Sequence, residues 1–256
     1  ASPFGHLGLF PEQAVCWDWI AERVRVAGRP LMVLNLFAYT GGSTLATAQA
    51  GGSVVHVDAA RNMVTRAREN ARASQLEDAP IRWICDDVLR FVRREVRRGN
   101  QYDGIIVDPP AYGHGPKGEP WKLDKHLPDL LEICGCLMQR HPQFLLLTCH
   151  ATQYGAKRSS PDRRGGAPPR SANDRPRSGS ITGWTNVRPD KATGRRLAEN
   201  RVTEAGLANA SKALRQRMAD AVPSIELPDV ELGPLTIEST TGRRLSCGVF
   251  ARWKQP

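Results

Sequence analysis

Five short apolar runs punctuate the first 150 residues, and a stretch with helical spacing separates each from the next. The runs are "LMVLNLF" (31–37), "SVVHVD" (53–58), "IRWICDD" (81–87), "DGIIVD" (103–108) and "FLLLTC" (144–149). Runs of this length without alternation are those of strands covered on both faces. The intervening stretches are "GGSTLATAQA" (41–50), "NMVTRARENARAS" (62–74), "VLRFVRREVRR" (88–98) and "KHLPDLLEICGCLMQR" (125–140), the last expected to become helical after Pro128. Strands alternating with helices at this spacing predict a parallel sheet with helices on both faces, joined by right-handed crossovers. A helix over 11–27, with Val15, Trp19, Ile20 and Val24 on one face, precedes the first strand. A helix over 200–222 and two runs, "VELGPLTIES" (230–239) and "RLSCGVFARW" (244–253), follow. Joined by "TTGR", the two runs predict a C-terminal antiparallel hairpin. The expected fold is therefore α/β, a mostly parallel seven-stranded sheet.

The net charge of +10 invites a nucleic-acid partner, but its location weakens that reading. Residues 155–220 hold 15 Lys and Arg against 6 Asp and Glu, whereas the rest holds 21 against 20. Within that segment, 155–200 is rich in Arg, Pro, Gly and Ser with few apolar residues. Such a composition cannot bury enough surface to offset its ordering entropy, which predicts a disordered basic insertion. It reads as an arm for RNA or as a solvated loop. The domain plan is a helical cap over 1–28, a main domain over 29–154 and 201–256, and the insertion at 155–200. The opening "ASPFGHLGLFPEQ" has no basic start and no long apolar run, so no signal peptide is expected, and no apolar stretch is long enough for a membrane span. Six scattered cysteines, with a single C-x-C at Cys134 and Cys136, predict buried thiols in a cytoplasmic protein without a metal site.

In an open parallel sheet, ligands bind beyond the carboxyl ends of the strands. Strand one ends in "NLFAYTGG" (35–42), where Gly41 and Gly42 allow a tight turn and the next helix presents free N–H groups. This is not G-x-G-x-x-G, so a dinucleotide cradle is not indicated. Strand two ends in Asp58, 17 residues after Gly41, near the spacing at which a carboxylate takes both hydroxyls of a ribose. Strand three ends in Asp86 and Asp87, placed to accept a hydrogen bond from an adenine amine. Strand four ends in Asp108-Pro109-Pro110. Any one strand-end Asp is explained as a helix N-cap; four such signals in order on successive strands are not.

On the residues "LNLFAYTGG" (34–42), "VDAARNMVTRAREN" (57–70), "CDDVLRFVRREVRRGNQYDGIIVDPPAY" (85–112) and the closing "CGVFARW" (247–253), the chain resembles class I S-adenosylmethionine (SAM)-dependent methyltransferases, which have a Rossmann-like fold. More narrowly, it is similar to the group of 23S ribosomal RNA cytosine-C5 and guanine-N7 methyltransferases. The opening "FGHLGLFPEQAVCWDWI" (4–20) resembles the N-terminal cap of a subgroup. The resemblance covers 4–154 well, 223–253 loosely and 155–200 not at all. It implies a methyltransferase with SAM as cofactor and ribosomal RNA as substrate. It implies that Asn35, Phe37, Tyr39, Thr40 and Gly41 border the methionine part of SAM, that Asp58 takes the ribose and that Asp86 and Asp87 serve the adenine. The longer cytosine enzymes carry an RNA-binding PUA domain, and no such segment stands in these 256 residues.

Pro109 and Pro110 fix φ and remove two N–H donors, so their rigidity aims Asp108 at one spot. A methyl acceptor held in line for transfer needs such placement. In D-P-P-x-aromatic, the pattern of the ribosomal RNA group, the aromatic is Tyr112, a candidate to stack on a flipped base. "GHGPKGEPWK" (113–122) is then expected as a mobile glycine-rich loop with Lys117 and Lys122 near phosphates. Carbon-5 methylation of cytosine needs a thiolate to add at C6, and Cys149 stands at the end of strand five. The relatives read "TCS" there and this chain reads "TCH". If Cys149 is inert, a ring nitrogen or amine is the expected target, and His150 is either a local acid or base or a hydrogen-bonded structural residue. Two rivals remain on sequence alone: a methyltransferase of protein or small molecules, and a non-catalytic RNA-binding relative. The oligomeric state is not legible.

Overall fold

Leu34, Leu36, Val57, Ile105, Val107, Leu145 and Leu147 are all completely buried, and they come from four of the five predicted strands. The computed structural model describes residues 8–150, 204–221, 225, 229–238, 242 and 244–255, all in one compact unit. The expectations for 155–200 fall outside these residues. The elements are α1 (Ala14–Val26), β1 (Met32–Leu36), α2 (Gly42–Gln49), β2 (Ser53–Asp58), α3 (Arg61–Ala73), β3 (Ile81–Cys85), α4 (Val88–Arg97), β4 (Gly104–Val107), β5 (Tyr112–His114), β6 (Pro120–Lys122), α5 (Leu123–Leu137), β7 (Phe144–Cys149), α6 (Glu204–Ala221), β8 (Glu231–Glu238) and β9 (Arg244–Lys254). A short 3₁₀ turn, Pro11–Gln13, leads into α1.

The main sheet has seven strands in the order β3-β2-β1-β4-β7-β9-β8. Pairing is parallel from β3 through β7, and β9 runs antiparallel to both β7 and β8. The chain steps outward from β1 through β2 to β3, then crosses back to β4 beside β1. The strand order reverses there, which opens a crevice beyond the carboxyl ends of β1 and β4. This is the mostly parallel sheet with a closing antiparallel hairpin that the sequence predicts.

Two apolar layers cover the sheet. Leu34, Leu36, Ile105, Leu145 and Leu147 face Phe91 of α4, Leu127, Leu130 and Leu131 of α5, and Leu214 and Met218 of α6. Val33, Ile106, Phe144 and Leu146 face Trp19, Ile20 and Val24 of α1. Each fully buried side chain of this size contributes about 1.5–3 kcal/mol. Trp19 meets the edge of Phe144 with ring centroids 5.6 Å apart. Arg252 of β9 lies over Trp19 and Phe250, at 5.1 and 4.7 Å, and pairs with both carboxylate oxygens of Glu231. These contacts fix the N-terminal helix to the C-terminal hairpin, and so fix the turn that precedes α1 over the crevice.

Three expectations need correction. α5 begins at Leu123, ahead of Pro128. Leu123 and Leu127 enter the core, and burying the two outweighs the loss of about 3 kcal/mol for an internal proline. Residues 112–122 are an antiparallel hairpin, β5 with β6, rather than a loop. Trp121 supplies the reason: it is buried against Phe37, with centroids 4.7 Å apart, and its Nε1–H donates to the Pro110 carbonyl at 2.7 Å. Of the cysteines, Cys136 is exposed and Cys85 and Cys247 are half-buried; only Cys16, Cys134 and Cys149 are in the interior. Among the described residues, no helix is long and apolar enough to cross a membrane.

Candidate active site

At the end of β1 the backbone folds back sharply. Phe37 and Tyr39 adopt positive φ (56° and 49°), and Gly41 follows at 92°. Non-glycine residues rarely hold that conformation, and clusters of it mark functional turns. A Cβ on Gly41 would stand 3.2 Å from the Cβ of Ala67, so a side chain there would crowd α3. Beneath the turn, buried Asn35 donates to the Thr44 hydroxyl at 2.9 Å, and Thr44 meets Nδ1 of buried His56 at 2.9 Å. Burial, aided by the charge of Arg68, pushes the His56 pKa down to about 3, so the turn rests on a neutral polar chain.

Asp58 lies opposite. Its two oxygens accept from the backbone N–H groups of Tyr39 and Ala60, both at 2.8 Å. Each oxygen keeps a second lone pair, and the residue lines a cavity of about 520 Å³. Burial raises the Asp58 carboxyl, and the two amides partly offset it. Asp87 lines the same cavity and caps α4, accepting from the Arg90 N–H at 2.8 Å. The rest of this half is flat and apolar: Phe37, Ala59, Val88 and Trp121. A nucleoside fits that chemistry, with acceptors for hydroxyls and an amine beside walls for a ring.

The other half of the cavity holds Asp108, Pro109, Pro110, Phe10 and His150. Asp108 Oδ1 accepts a short hydrogen bond from the Thr148 hydroxyl, and Oδ2 accepts from the Gln13 side-chain amide at 3.2 Å. The same Gln13 nitrogen lies 3.3 Å from His150 Nε2, and His150 Nε2 lies 3.5 Å from Asp108 Oδ1. His150 Nδ1 faces the Cys247 carbonyl at 3.2 Å and Glu12 Oε1 at 3.9 Å. Burial pulls the imidazole pKa down, but the bond and charge of Asp108, the charge of Glu12 and the Cys247 carbonyl outweigh it, and the net direction is up. The Phe10 ring spans the two halves, 5.6 Å from Tyr39 and 6.0 Å from His150.

Seven of the sequence candidates therefore share one cavity: Phe37, Tyr39, Asp58, Asp87, Asp108, Pro109 and Pro110. Asn35, Thr40 and Gly41 line a smaller adjoining recess that shares Phe10, Phe37, Tyr39 and Asp108 with it. Three candidates stand elsewhere. Asp86 points away and pairs with Arg90 and Arg94 at 2.5 and 2.6 Å; burial raises its carboxyl, the arginines outweigh this, and the net direction is down. Tyr112 is 56% exposed at the mouth, its hydroxyl 2.9 Å from Nε2 of His114, which does line the cavity. Cys149 is 1% exposed and sits in the core layer under α5 and α6, outside the cavity lining. Phe10, Glu12, Gln13 and Trp121 were not identified from sequence. The signal available for Glu12 and Gln13 was a polar pair immediately after Pro11, at the head of an amphipathic helix.

A family model described as S-adenosylmethionine-dependent methyltransferase matches residues 5–143. Ribosomal RNA large subunit methyltransferase I of Salmonella arizonae is 37% identical over 81 residues, 31% of this chain and 20% of that protein. The enzyme of the same name from Escherichia coli O139:H28 is 36% identical over the same length. This match thus spans about a fifth of the curated relatives. Among solved structures, a SAM-dependent methyltransferase from Agrobacterium tumefaciens superposes with a TM-score of 0.71 at 33% identity, covering 99% of this chain and 65% of that one. SMU.776, a methyltransferase complexed with SAH, superposes with a TM-score of 0.51 at 23% identity over 57% of this chain and 37% of that one.

Proposed function

We propose, from the premise that this chain belongs to the S-adenosylmethionine-dependent methyltransferases, that it methylates a base of ribosomal RNA. SAM supplies a methyl group on a sulfonium, which a nucleophile takes while sulfur keeps the electrons of the broken bond. The residues present fit that cofactor. Asp58, pinned by two backbone amides, offers its remaining lone pairs to the ribose hydroxyls. Asp87 accepts from the adenine amine, and Phe37, Val88 and Trp121 flank the ring. The turn from Asn35 to Gly41 borders the methionine part, and the missing side chain of Gly41 lets that turn pack close against Ala67 of α3. A sulfonium also favours the side of the cavity where the Asp108 carboxylate lies.

The observation that carries the reading is that Asp108-Pro-Pro and the nucleoside-shaped half share a single cavity. The prolines hold the acceptor face rigid, so a planar base is positioned before reaction. Tyr112, exposed on the β5–β6 hairpin, would stack on an entering base, and Lys117 and Lys122, exposed on the same hairpin, would meet the flanking phosphates. The names of the relatives support ribosomal RNA as the polymer, which implies action in the cytoplasm. Residues 155–200 read as a basic insertion between β7 and α6 that adds to RNA attraction.

The test is methyl-labelled SAM incubated with the protein and, separately, unmodified ribosomal RNA, total protein and a small-molecule extract. Label in ribosomal RNA is expected. Label in either of the other two fractions alone would replace the RNA reading.

A further inference from the structure

We propose that His150 is the proton acceptor of the reaction and that the methyl acceptor is an N–H nitrogen of the base, an inference that rests on the RNA-base reading above. His150 lines the cavity beside Asp108 and Pro110, at the face assigned to the acceptor. Its tautomer follows from its partners. A carbonyl only accepts, so the contact with Cys247 puts the hydrogen on Nδ1 and leaves the lone pair on Nε2.

Both protonation states of that ring are satisfied in place. In the neutral state the Gln13 amide donates to Nε2 from 3.3 Å. In the charged state the carboxylate of Asp108, with Oδ1 3.5 Å from Nε2, offsets the positive ring, while Gln13 keeps its bond to Oδ2. The groups facing the imidazole are Glu12 and Gln13 from the 3₁₀ turn, Asp108 from the end of β4 and the Cys247 carbonyl from β9, with Phe10 over the ring. The backbone is equally fixed: a Cβ on Gly248 would fall 2.4 Å from the Cys149 carbonyl and 3.1 Å from the His150 Cα, so β9 presses directly on this corner.

The N–H acceptor follows from the neighbour. Methylation of a ring carbon needs a nucleophile that first adds to the ring. Cys149 is buried in the core layer under α5 and α6, and among the described residues no cysteine lines the cavity. A base nitrogen brings its own electron pair. It forms the bond to the methyl carbon as the carbon–sulfur bond breaks toward sulfur. Its N–H bond then returns a pair to nitrogen and gives the proton to Nε2 of neutral His150, and the imidazolium releases it to water at the mouth.

The test uses the full chain, methyl-tritiated SAM and unmodified 23S ribosomal RNA transcribed in vitro. It compares the native protein with His150→Gln and His150→Ala from pH 6 to 9. In the native protein kcat is expected to rise with pH through a midpoint above 6.5. His150→Gln is expected to lose about 100-fold or more in kcat at pH 8, together with that rise. Its SAM affinity by calorimetry stays within about threefold, which shows the fold intact. Added imidazole restores activity to His150→Ala, and digestion of the labelled RNA yields an N-methyl nucleoside. Independently of turnover, Asp108→Asn lowers the His150 titration midpoint read by NMR. Activity of His150→Gln within threefold of native, an unchanged pH limb or an unmoved NMR midpoint overturns the inference alone. A 5-methylcytidine or 7-methylguanosine product overturns the N–H assignment. No label in the transcript from native protein that binds SAM overturns the RNA reading and this inference with it.

Discussion

The two halves of the cavity hold their carboxylates by different means. Asp58 and Asp87 are fixed by backbone amides of Tyr39, Ala60 and Arg90, none more than 19 residues away in sequence. Asp108 is fixed by side chains, Gln13 and Thr148, which lie 95 and 40 residues from it, and His150 leans on Gln13 across 137. An amide neither titrates nor varies with residue type. The first arrangement therefore suits a constant ligand, and the second leaves both identity and protonation open to change. This contrast is what one expects if a common cofactor occupies one half and a particular acceptor the other.

The largest effect that would break the contrast is at Asp58. Asp58→Ala strips the partner from two inward-facing amides as well as the two proposed ribose contacts, each charged hydrogen bond being worth about 1.5–3 kcal/mol. SAM affinity measured by calorimetry should fall by at least about 100-fold. An affinity within fivefold of native would mean that the backbone-held half does not carry the cofactor.

Next is the corner where β9 touches His150. Gly248→Ala forces the 2.4 Å contact with the Cys149 carbonyl to open, an overpacking of about 1–3 kcal/mol. The melting temperature should drop by about 3–10 °C. With His150 displaced, kcat should fall about tenfold while SAM affinity changes less than about threefold, since Asp58 and Asp87 lie across the cavity. Equal losses in both would show the halves to be one mechanical unit.

The pH response sharpens the same contrast. Asp58 is raised chiefly by burial, from 3.8, and His150 is raised from 6.5 because Asp108 and Glu12 outweigh its burial. For both, the folded state favours the protonated form. Each contribution is thus complete below the unfolded value and is lost as pH rises through the folded one. The Asp58 window opens at 3.8 and the His150 window at 6.5, so His150 is the one whose window opens at neutrality. The melting temperature of native protein minus that of His150→Gln should be greater at pH 6 than at pH 8.5, by about 2 °C or less for a partly exposed pair. A difference that grows toward high pH would reverse the sign and remove the Asp108 pairing.

The same division explains what the sequence disclosed. Asp58 and Asp87 are readable because strand ends and helix caps are local, and local order is what a sequence displays. The alternation of strands and helices is readable for the same reason, whereas the reversal at β1 and β4 emerges only in the fold. Gln13 and Glu12 are not, because nothing near them shows that the turn before α1 comes to rest on the end of β4. The β5–β6 hairpin was hidden by its glycines and prolines; only the burial of Trp121 makes it regular. Asp86 and Asp87 look equivalent in sequence, and only the arginine spacing on α4, four and eight residues on, marks Asp86 as the paired one.

Cys149 offers the smallest effect and the finest cut. It follows Thr148, which holds Asp108, and precedes His150, yet strand geometry turns alternate side chains to opposite faces. β7 is buried on both faces, so its hydropathy shows no alternation from which that parity can be read. Cys149 shares its face with Leu145 and Leu147, under α5 and α6. Cys149→Ala should therefore cost about 1–2 kcal/mol of stability through the lost sulfur, visible in denaturant unfolding. Methyl transfer to ribosomal RNA should stay within about threefold of native, against the roughly 100-fold or greater loss expected when a covalent nucleophile or a proton acceptor is removed. If activity disappears while SAM still binds, β7 must rotate or slip during turnover to bring the thiol into the cavity. The acceptor half would then be a moving part rather than a fixed wall.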